Sequence, residues 1–565
     1  MGKEVPPAPE NVTPDDPDAT GWGAPVGDAE DVSLVRSTAV MAVGTTLSRV
    51  TGFLRLAAMA FALGVAETRL ADAYNVANNI PNIVYELVLG GVLTSVFVPV
   101  FVRQLKTRSR EEAWEAARAV LTTALVVLLL IVIAGIVAAP WVVRLYTVRV
   151  PSPEREAVQE LATLFLQFFM PQIVLYGLGA VATGLLNAHR RFAAPMFAPI
   201  LNNLVVTATF LTFAFMPGAG AEAPSPEAIT LAQKLVLGIG TTAGVAAMTL
   251  ALWPSLRSIG FRLHWRFDPR NEAVRSLIRL SGWAVAYVVM NQIGLLIVIV
   301  LAGQDQGGYT AYQAAFIFFQ LPHAIFSVSI MTALLPGLSE DWVRGDRRDF
   351  RADLARGVRT SAFVVIPAAA GYVVLAEPIV RLLLEHGVAG PESTRLVSGV
   401  LRTFALGLFQ FSTFMLFLRA FYAMQDTRTP ALINVFAVGL NTAANFALFP
   451  LLGVRGLALG HATAYTFAAI AAGVLLRRRL GGIEGRLLAR GLAKIVAGAA
   501  VTAAAAWGVA TLLERSVGVE TLGKQVIQVG TSVLAGLIIF LGAALLLRME
   551  ELELVRRTIT SRLRP

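Results

Sequence analysis

Residues 115–138 read EAARAVLTTALVVLLLIVIAGIVA, and from Ala119 to Ala138 no side chain carries a charge. A helix rises about 1.5 Å per residue, so roughly 20 mostly apolar residues cross the ~30 Å hydrocarbon core of a bilayer. This segment reads as a membrane span, and the pattern recurs along the chain. Candidate spans fall near 36–64, 72–102, 115–138, 157–187, 194–216, 231–254, 277–302, 309–338, 358–376, 396–423, 430–450, 455–476, 490–512 and 524–547. The expected fold class is an all-α polytopic membrane protein with about fourteen transmembrane helices.

Composition points the same way. Apolar residues make up 56% of the 565 positions and charged residues 15%, with a mean hydropathy of +0.66. Soluble domains carry roughly 25% charged residues. There is no cysteine, which excludes disulfides, thiolate metal sites and thiol nucleophiles. The five histidines leave little room for a clustered metal site.

The net charge of +10 is unevenly spread. Residues 1–34 are acidic, rich in proline and poor in apolar side chains, which describes a disordered tail. They lack the basic start and short apolar core of a cleavable signal peptide. Basic residues gather in alternate connections between spans: Arg103 to Arg110, Arg190 and Arg191, Arg257 to Arg275, Arg344 to Arg356, Arg428, and Arg477 to Arg490. The intervening connections hold far fewer. The positive-inside rule then places both termini in the cytoplasm of a bacterial inner membrane. It also accounts for the basic excess without any nucleic-acid partner.

A faint internal repeat runs at an offset of about 235–240 residues. Around Pro99 the chain reads LTSVFVP and around Pro336 IMTALLP. Pro81 has a counterpart in Pro322, and NAHRRFAAP ending at Pro195 parallels YAMQDTRTP ending at Pro430. The expected organisation is an acidic tail (1–34), a six-span lobe (35–256), a second six-span lobe (257–480), two appended spans (481–548) and a cytoplasmic C-terminal tail (549–565). Repeated lobes around a central site are a common transporter plan.

Ionisable groups inside a span each cost on the order of 2.5–3.5 kcal/mol by insertion scales, so they need a reason. Arg49 and Arg55 lie mid-span in SRVTGFLR. They are separated by about 9 Å of rise and roughly 120° of rotation, so both can border one cavity without forming a stripe. Asp72, Asn75, Asn79, Asn82 and Glu86 succeed one another at spacings of three or four, a continuous polar face along span two. One or two asparagines would serve helix packing alone; five polar groups in line suit the wall of a wet cavity. Gln313, Gln320 and His323 make a lesser stripe in span eight, expected as the opposite wall. Arg419 either snorkels or joins the site. Asn202, Asn203, Asn291 and Gln292 read as packing groups. GVETLGK at Gly518–Lys524 resembles the start of a phosphate-binding loop, but Gln525 stands where Ser or Thr must hold magnesium, and no strand precedes it.

SRVTGFLR, then ADAYNVANNIPN, GGVLTSVFVPVF, QLPHAIFSVS at Gln320–Ser329 and FYAMQDTRTP at Phe421–Pro430 together resemble the MviN/MurJ family of lipid II flippases, its actinobacterial branch in particular. The likeness runs over most of residues 36–547. It implies a two-lobed member of the multidrug/oligosaccharidyl-lipid/polysaccharide exporter superfamily that alternates between inward-open and outward-open forms. It further implies a cationic cavity for the diphosphate-sugar-peptide head group of lipid II, and a groove at spans thirteen and fourteen for the polyprenyl tail. Arg49, Arg55 and Asp72 match family positions with proposed functional roles. Two departures make this cavity less basic than the family pattern. Tyr85 and Glu86 stand where many relatives carry an arginine, and so do Phe316, Ile317 and Phe318. Asn and Gln side chains, or an arginine elsewhere, would then carry more of the binding, and Glu86 would pair with Arg49 or Arg55 until diphosphate arrives.

The function expected from this reading is outward movement of lipid II for cell-wall synthesis by a transporter rather than an enzyme. Membrane lipids and cell-wall synthesis proteins are the further partners. No cofactor is expected, and the driving force, a coupling ion or the membrane potential, stays open. The alternatives are a related exporter of another polyprenyl-linked oligosaccharide or of a drug, a scaffold, and a membrane enzyme acting on polyprenyl-linked sugars. The enzyme would need a surface-exposed carboxylate or histidine constellation, and a drug exporter an acidic cavity.

Overall fold

The computed structural model describes residues 28–86, 110–189, 191–220, 222–261 and 264–552. Among the described residues every regular element is helical. Helix α1 (Asp28–Leu63) begins inside the stretch expected as a tail; Pro25 and Gly27 are the last helix breakers before it. After it come α2 (Leu70–Glu86), α3 (Arg110–Tyr146), α4 (Ser152–Phe169), α5 (Gln172–Ala188), α6 (Ala193–Ala214), α7 (Leu231–Leu250) and the short α8 (Trp253–Ser258). The chain continues through α9 (Glu272–Ala302), α10 (Gly308–Pro322), a π-helical turn (His323–Ser327), α11 (Val328–Arg344), α12 (Arg347–Leu384), α13 (Pro391–Ala405), α14 (Leu408–Ala423), α15 (Arg428–Leu452) and α16 (Val454–Leu480). Helices α17 (Gly485–Ser516) and α18 (Leu522–Leu546) complete the set.

Eleven helical stretches are long and apolar enough to cross a bilayer, and the α13–α14 pair, bent by 49°, makes a twelfth. Each coincides with one of the fourteen expected spans. The other two, 72–102 and 277–302, correspond to α2, whose sequel beyond Glu86 lies outside the described residues, and to α9, apolar over Val288–Ala302. Pro99 and the basic residues 103–108 also lie outside the described residues. Gly407 lies at the α13–α14 bend. At Gly407 an added Cβ would sit 2.7 Å from the Ala462 Cα, so only glycine lets α14 start this close to α16.

Helix packing separates two bundles. In the first, α1 packs on α6, α6 on α7, and α2 and α3 on α4. In the second, α15 packs on α16, α10 on α13, and α12 on α13 and α14. Helices α17 and α18 pack on each other and on α12. Aromatic clusters fill both cores: the Tyr74 ring lies 5.3 Å from Phe210 and 5.4 Å from Phe169, and Phe319 lies 5.2 Å from Phe404. Outward-facing Leu130, Val137 and Ile538 are 62%, 63% and 68% exposed. Such an apolar exterior fits a hydrocarbon solvent, and helices meet its demand by pairing their own backbone groups.

Candidate substrate cavity between the lobes

At one end the two bundles are joined by side-chain hydrogen bonds. There the loop after α1 enters a hydrogen-bonded clasp with the loops before α10 and α13. The Asp72 carboxylate accepts from the Gly307 amide (2.8 Å), the Thr310 amide (3.0 Å) and the Thr310 hydroxyl (2.7 Å). Glu67 accepts from the Gly390 amide and the Ser393 hydroxyl, each at 2.7 Å. Arg69 pairs with Glu154 and donates to the Gly303 carbonyl at 3.0 Å. Gln306 donates to the Ala66 carbonyl at 2.8 Å. Gly307 makes this approach possible. Its φ is +70°, and a Cβ there would sit 2.2 Å from the Val65 carbonyl oxygen. Asp305, in the loop between α9 and α10, has its pKa raised by burial, against the opposing pull of its backbone hydrogen bond at Val454 and the Arg69 charge.

Away from the clasp the bundles part around a cavity of about 720 Å³. Along α2 exposure rises in step: Asp72 and Asn75 are buried, Asn79 and Asn82 half-buried, Glu86 exposed. Arg49, Arg55, Asn75, Asn79, Asn82, Glu86 and Gln313 all line the cavity. The polar stripe of α2 therefore faces one space, with both arginines opposite it on α1. Arg49 and Arg55 have no ion-pair partner among the described residues. They are also the only arginines among the described residues that line the cavity. Tyr85, Glu86 and, on α10, Ile317 also line it.

Other predicted residues stand elsewhere. Asp72 is a clasp residue and does not line the cavity, because it lies one turn beyond the cavity's closed end. Gln320 is half-buried on α10 but outside the lining. His323, in the π turn, is buried with Nδ1 3.0 Å from the Ser412 hydroxyl and its ring against Phe411, a packed interior histidine. Arg419 is exposed on α14 and outside the lining. Glu86 pairs with neither arginine. Its carboxylate accepts from the Gln292 amide at 2.9 Å, a bond between the bundles.

Several lining residues escaped the sequence reading. Tyr176 donates to the Asn82 Oδ1 at 3.0 Å, and Tyr74 shares a 2.8 Å hydrogen bond with Thr241. Asn203 donates to the Ser48 carbonyl and to Thr51, both at 3.1 Å, so its packing role is real, yet it and Asn202 also face the cavity. Asn291 and Gln292 line an adjoining space of about 360 Å³ on the second bundle, which shares Asn79, Glu86 and Gln313 with the first. The Gly518–Lys524 segment is a turn into α18, capped by Thr521 and carrying the Lys524–Glu520 pair at 2.8 Å.

A two-bundle helical membrane protein, clasped at one end and open around a polar, arginine-bearing cavity, has the architecture of a transporter that exposes one site to alternate sides. Among solved structures, a lipid II flippase MurJ in an inward closed conformation matches with a TM-score of 0.72 at 20% identity, covering 90% of this chain and 98% of that one. An inward-facing multidrug resistance transporter of the MATE family and MOP superfamily matches with a TM-score of 0.61 at 13% identity, over 79% and 96% of the two chains. Among curated proteins, the probable lipid II flippase MurJ of Rhizobium meliloti is 30% identical over 477 residues, 84% of this chain and 86% of the relative. That of Synechocystis is 27% identical over 525 residues, 93% and 96% of the two. The family model of the lipid II flippase MurJ matches residues 59–526. The chain belongs to the lipid II flippase MurJ family.

Proposed function

We propose that this chain carries lipid II from the cytoplasmic to the outer leaflet of the bacterial cytoplasmic membrane by alternating access. The observation that carries the reading is the pair of arginines, Arg49 and Arg55, without a carboxylate partner among the described residues and inside a cavity closed at one end. A diphosphate cannot cross hydrocarbon unaided, whereas guanidinium groups bind it through charge-assisted, bidentate hydrogen bonds. An unneutralised arginine in a cavity is expensive unless its function is to meet an anion.

Loop charge supports the orientation. The ends bearing Arg344, Arg347 and Arg477 to Arg479 are cytoplasmic by the positive-inside rule, and the clasp is then on the outer side. The cavity accordingly faces the cytoplasm, where the loaded lipid is made. Opening the clasp while the other end closes would deliver the head group outside. Helices α17 and α18, standing beside the second bundle with an apolar exterior, offer a surface for the polyprenyl tail. The membrane potential, about 2.3 kcal/mol per charge per 100 mV, is available to drive the cycle.

The test is the leaflet distribution of lipid II in cells depleted of this chain and rescued by wild type or by Arg55→Ala. Trapping of lipid II in the inner leaflet, relieved by wild type and not by an Arg55→Ala protein at normal membrane levels, is expected. An unchanged distribution on depletion, in cells with no second flippase, would overturn the reading.

A further inference from the structure

The space on the second bundle is chemically unlike the arginine-bearing cavity it joins. Among the described residues lining it, Glu86 is the sole carboxylate and there is no lysine or arginine. Its walls are amides, aromatic rings and aliphatic side chains such as Leu295 and Val298. Asn434, on α15, is 4% exposed, and its Nδ2 has no hydrogen-bond partner among the described residues. His461, on α16, is 8% exposed with Nδ1 equally unpartnered. The Gln292 Oε1 and the Asn79 Nδ2 complete a set of four buried polar atoms around one space that the protein leaves unsatisfied. Buried polar groups are nearly always hydrogen-bonded, so four orphans around one cavity mark groups kept for a ligand. The aromatic side is rigid: the His461 ring lies 4.5 Å from Tyr465 and 5.7 Å from Phe316.

We propose that this space is a glycan subsite: it holds the sugar rings of the translocated lipid, through hydroxyl and acetamido hydrogen bonds to Asn434, Gln292 and His461, with a ring face laid on the aromatic wall. The assignment rests on the reading of the chain as a lipid II flippase. Its logic is one of charge. The diphosphate goes to Arg49 and Arg55. The sugars attached directly to it enter the adjoining space, which has no cation in its described lining, through the boundary formed by Asn79 and Gln313. The carboxylates of a stem peptide find no cation there and meet the Glu86 carboxylate, so the peptide stays toward the open end. Amide side chains and aromatic faces match an uncharged, hydroxylated ring in both polarity and shape.

The experiment uses the full chain in lipid nanodiscs and three probes: undecaprenyl diphosphate, the same lipid bearing the disaccharide, and lipid II. Asn434→Leu is expected to weaken binding of both sugar-bearing lipids by about tenfold, the worth of one to two hydrogen bonds. Binding of undecaprenyl diphosphate should be unchanged, which also shows that the variant is folded. Arg55→Ala should weaken all three. If Asn434→Leu binds the sugar-bearing lipids as wild type does, or weakens all three probes alike, the glycan subsite is wrong while the flippase reading stands. If only lipid II is affected, the space takes the peptide and the assignment to sugar falls. If wild type binds none of the probes, the flippase reading itself fails and the subsite with it.

Discussion

Asp72 and Thr310, 238 residues apart, are joined twice across the lobe boundary, through the Thr310 amide at 3.0 Å and its hydroxyl at 2.7 Å. Asn75 donates to the same hydroxyl at 3.1 Å from 235 residues away. The separations fall within the offset of the faint sequence repeat, and α2 and α10 meet face to face. A clasp between the two bundles is suited to a molecule that rocks one half against the other.

Replacing Asp72 by Asn should loosen that clasp. The amide keeps one acceptor oxygen but loses the charge and turns a donor toward donors. Hydrogen bonds to charged groups are worth roughly 1.5–3 kcal/mol, so losing one shifts the closed-to-open ratio at this end about tenfold or more. The absence of cysteine makes the measurement clean. Spin labels at Glu222→Cys and Glu392→Cys, both exposed near the clasp, should report a longer-distance population that grows in Asp72→Asn. An identical distance distribution in both proteins would rule out the latch.

Gly307 and Gly345 both adopt left-handed backbone, at φ +70° and +75°, but only the first is hemmed in. A Cβ at Gly307 would sit 2.2 Å from the Val65 carbonyl oxygen and 2.6 Å from the Ala66 Cα, both backbone atoms that cannot yield alone. At Gly345 nothing lies within 4 Å. Gly307→Ala should open the clasp in the same label experiment. Gly345→Ala should lower thermal stability by about 1–2 kcal/mol, the left-handed strain alone, with no change in label distance. Equal behaviour of the two variants would contradict this division.

Glu86 shares the cavity with Arg49 and Arg55 while bonded to Gln292. Its charge repels an incoming diphosphate. Glu86→Gln retains an oxygen that can accept from Gln292 and removes the charge. Binding of undecaprenyl diphosphate should tighten several-fold, most at low ionic strength, where screening is weakest. Isothermal titration at two salt concentrations checks both the direction and its salt dependence; weaker binding would show that the carboxylate assists the ligand instead.

How much of the cavity was legible in the sequence depends on distance along the chain. Asn75, Asn79, Asn82 and Glu86 share a helix face, and a spacing of three or four states that directly. The same rule included Asp72, which does lie on that face, but periodicity gives direction around a helix and not depth along a cavity. Gln320 and His323 lie outside the lining for a related reason: the α10 stripe leaves the cavity after Ile317, and His323 opens the π turn His323–Ser327. Asn202, Gln292 and Tyr176 sit on helices with no polar stripe. One sequence shows which face of a helix is polar, whereas which helices share a space is set by packing.

The Arg359–Glu551 pair had no local signal at all, being separated by 192 residues. Arg359 on α12 is 9% exposed and donates to Glu551 at 2.5 Å and to Glu550 at 2.8 Å, which ties the segment after α18 back onto the second lobe. The two carboxylates should differ sharply in worth. Glu551 is almost fully buried, so removing its partner strands a charge away from water, at a cost of about 3–5 kcal/mol. Glu550 keeps 74% of its side chain exposed, and exposed pairs contribute roughly 0–1 kcal/mol. Thermal unfolding in detergent should therefore show a large loss for Arg359→Ala and little for Glu550→Gln. The double variant Arg359→Leu, Glu551→Leu should recover much of the loss, because two apolar side chains of similar volume leave no buried charge unpaired. If Arg359→Ala unfolds at the wild-type temperature, the pair does not fasten the C-terminal segment to the second lobe.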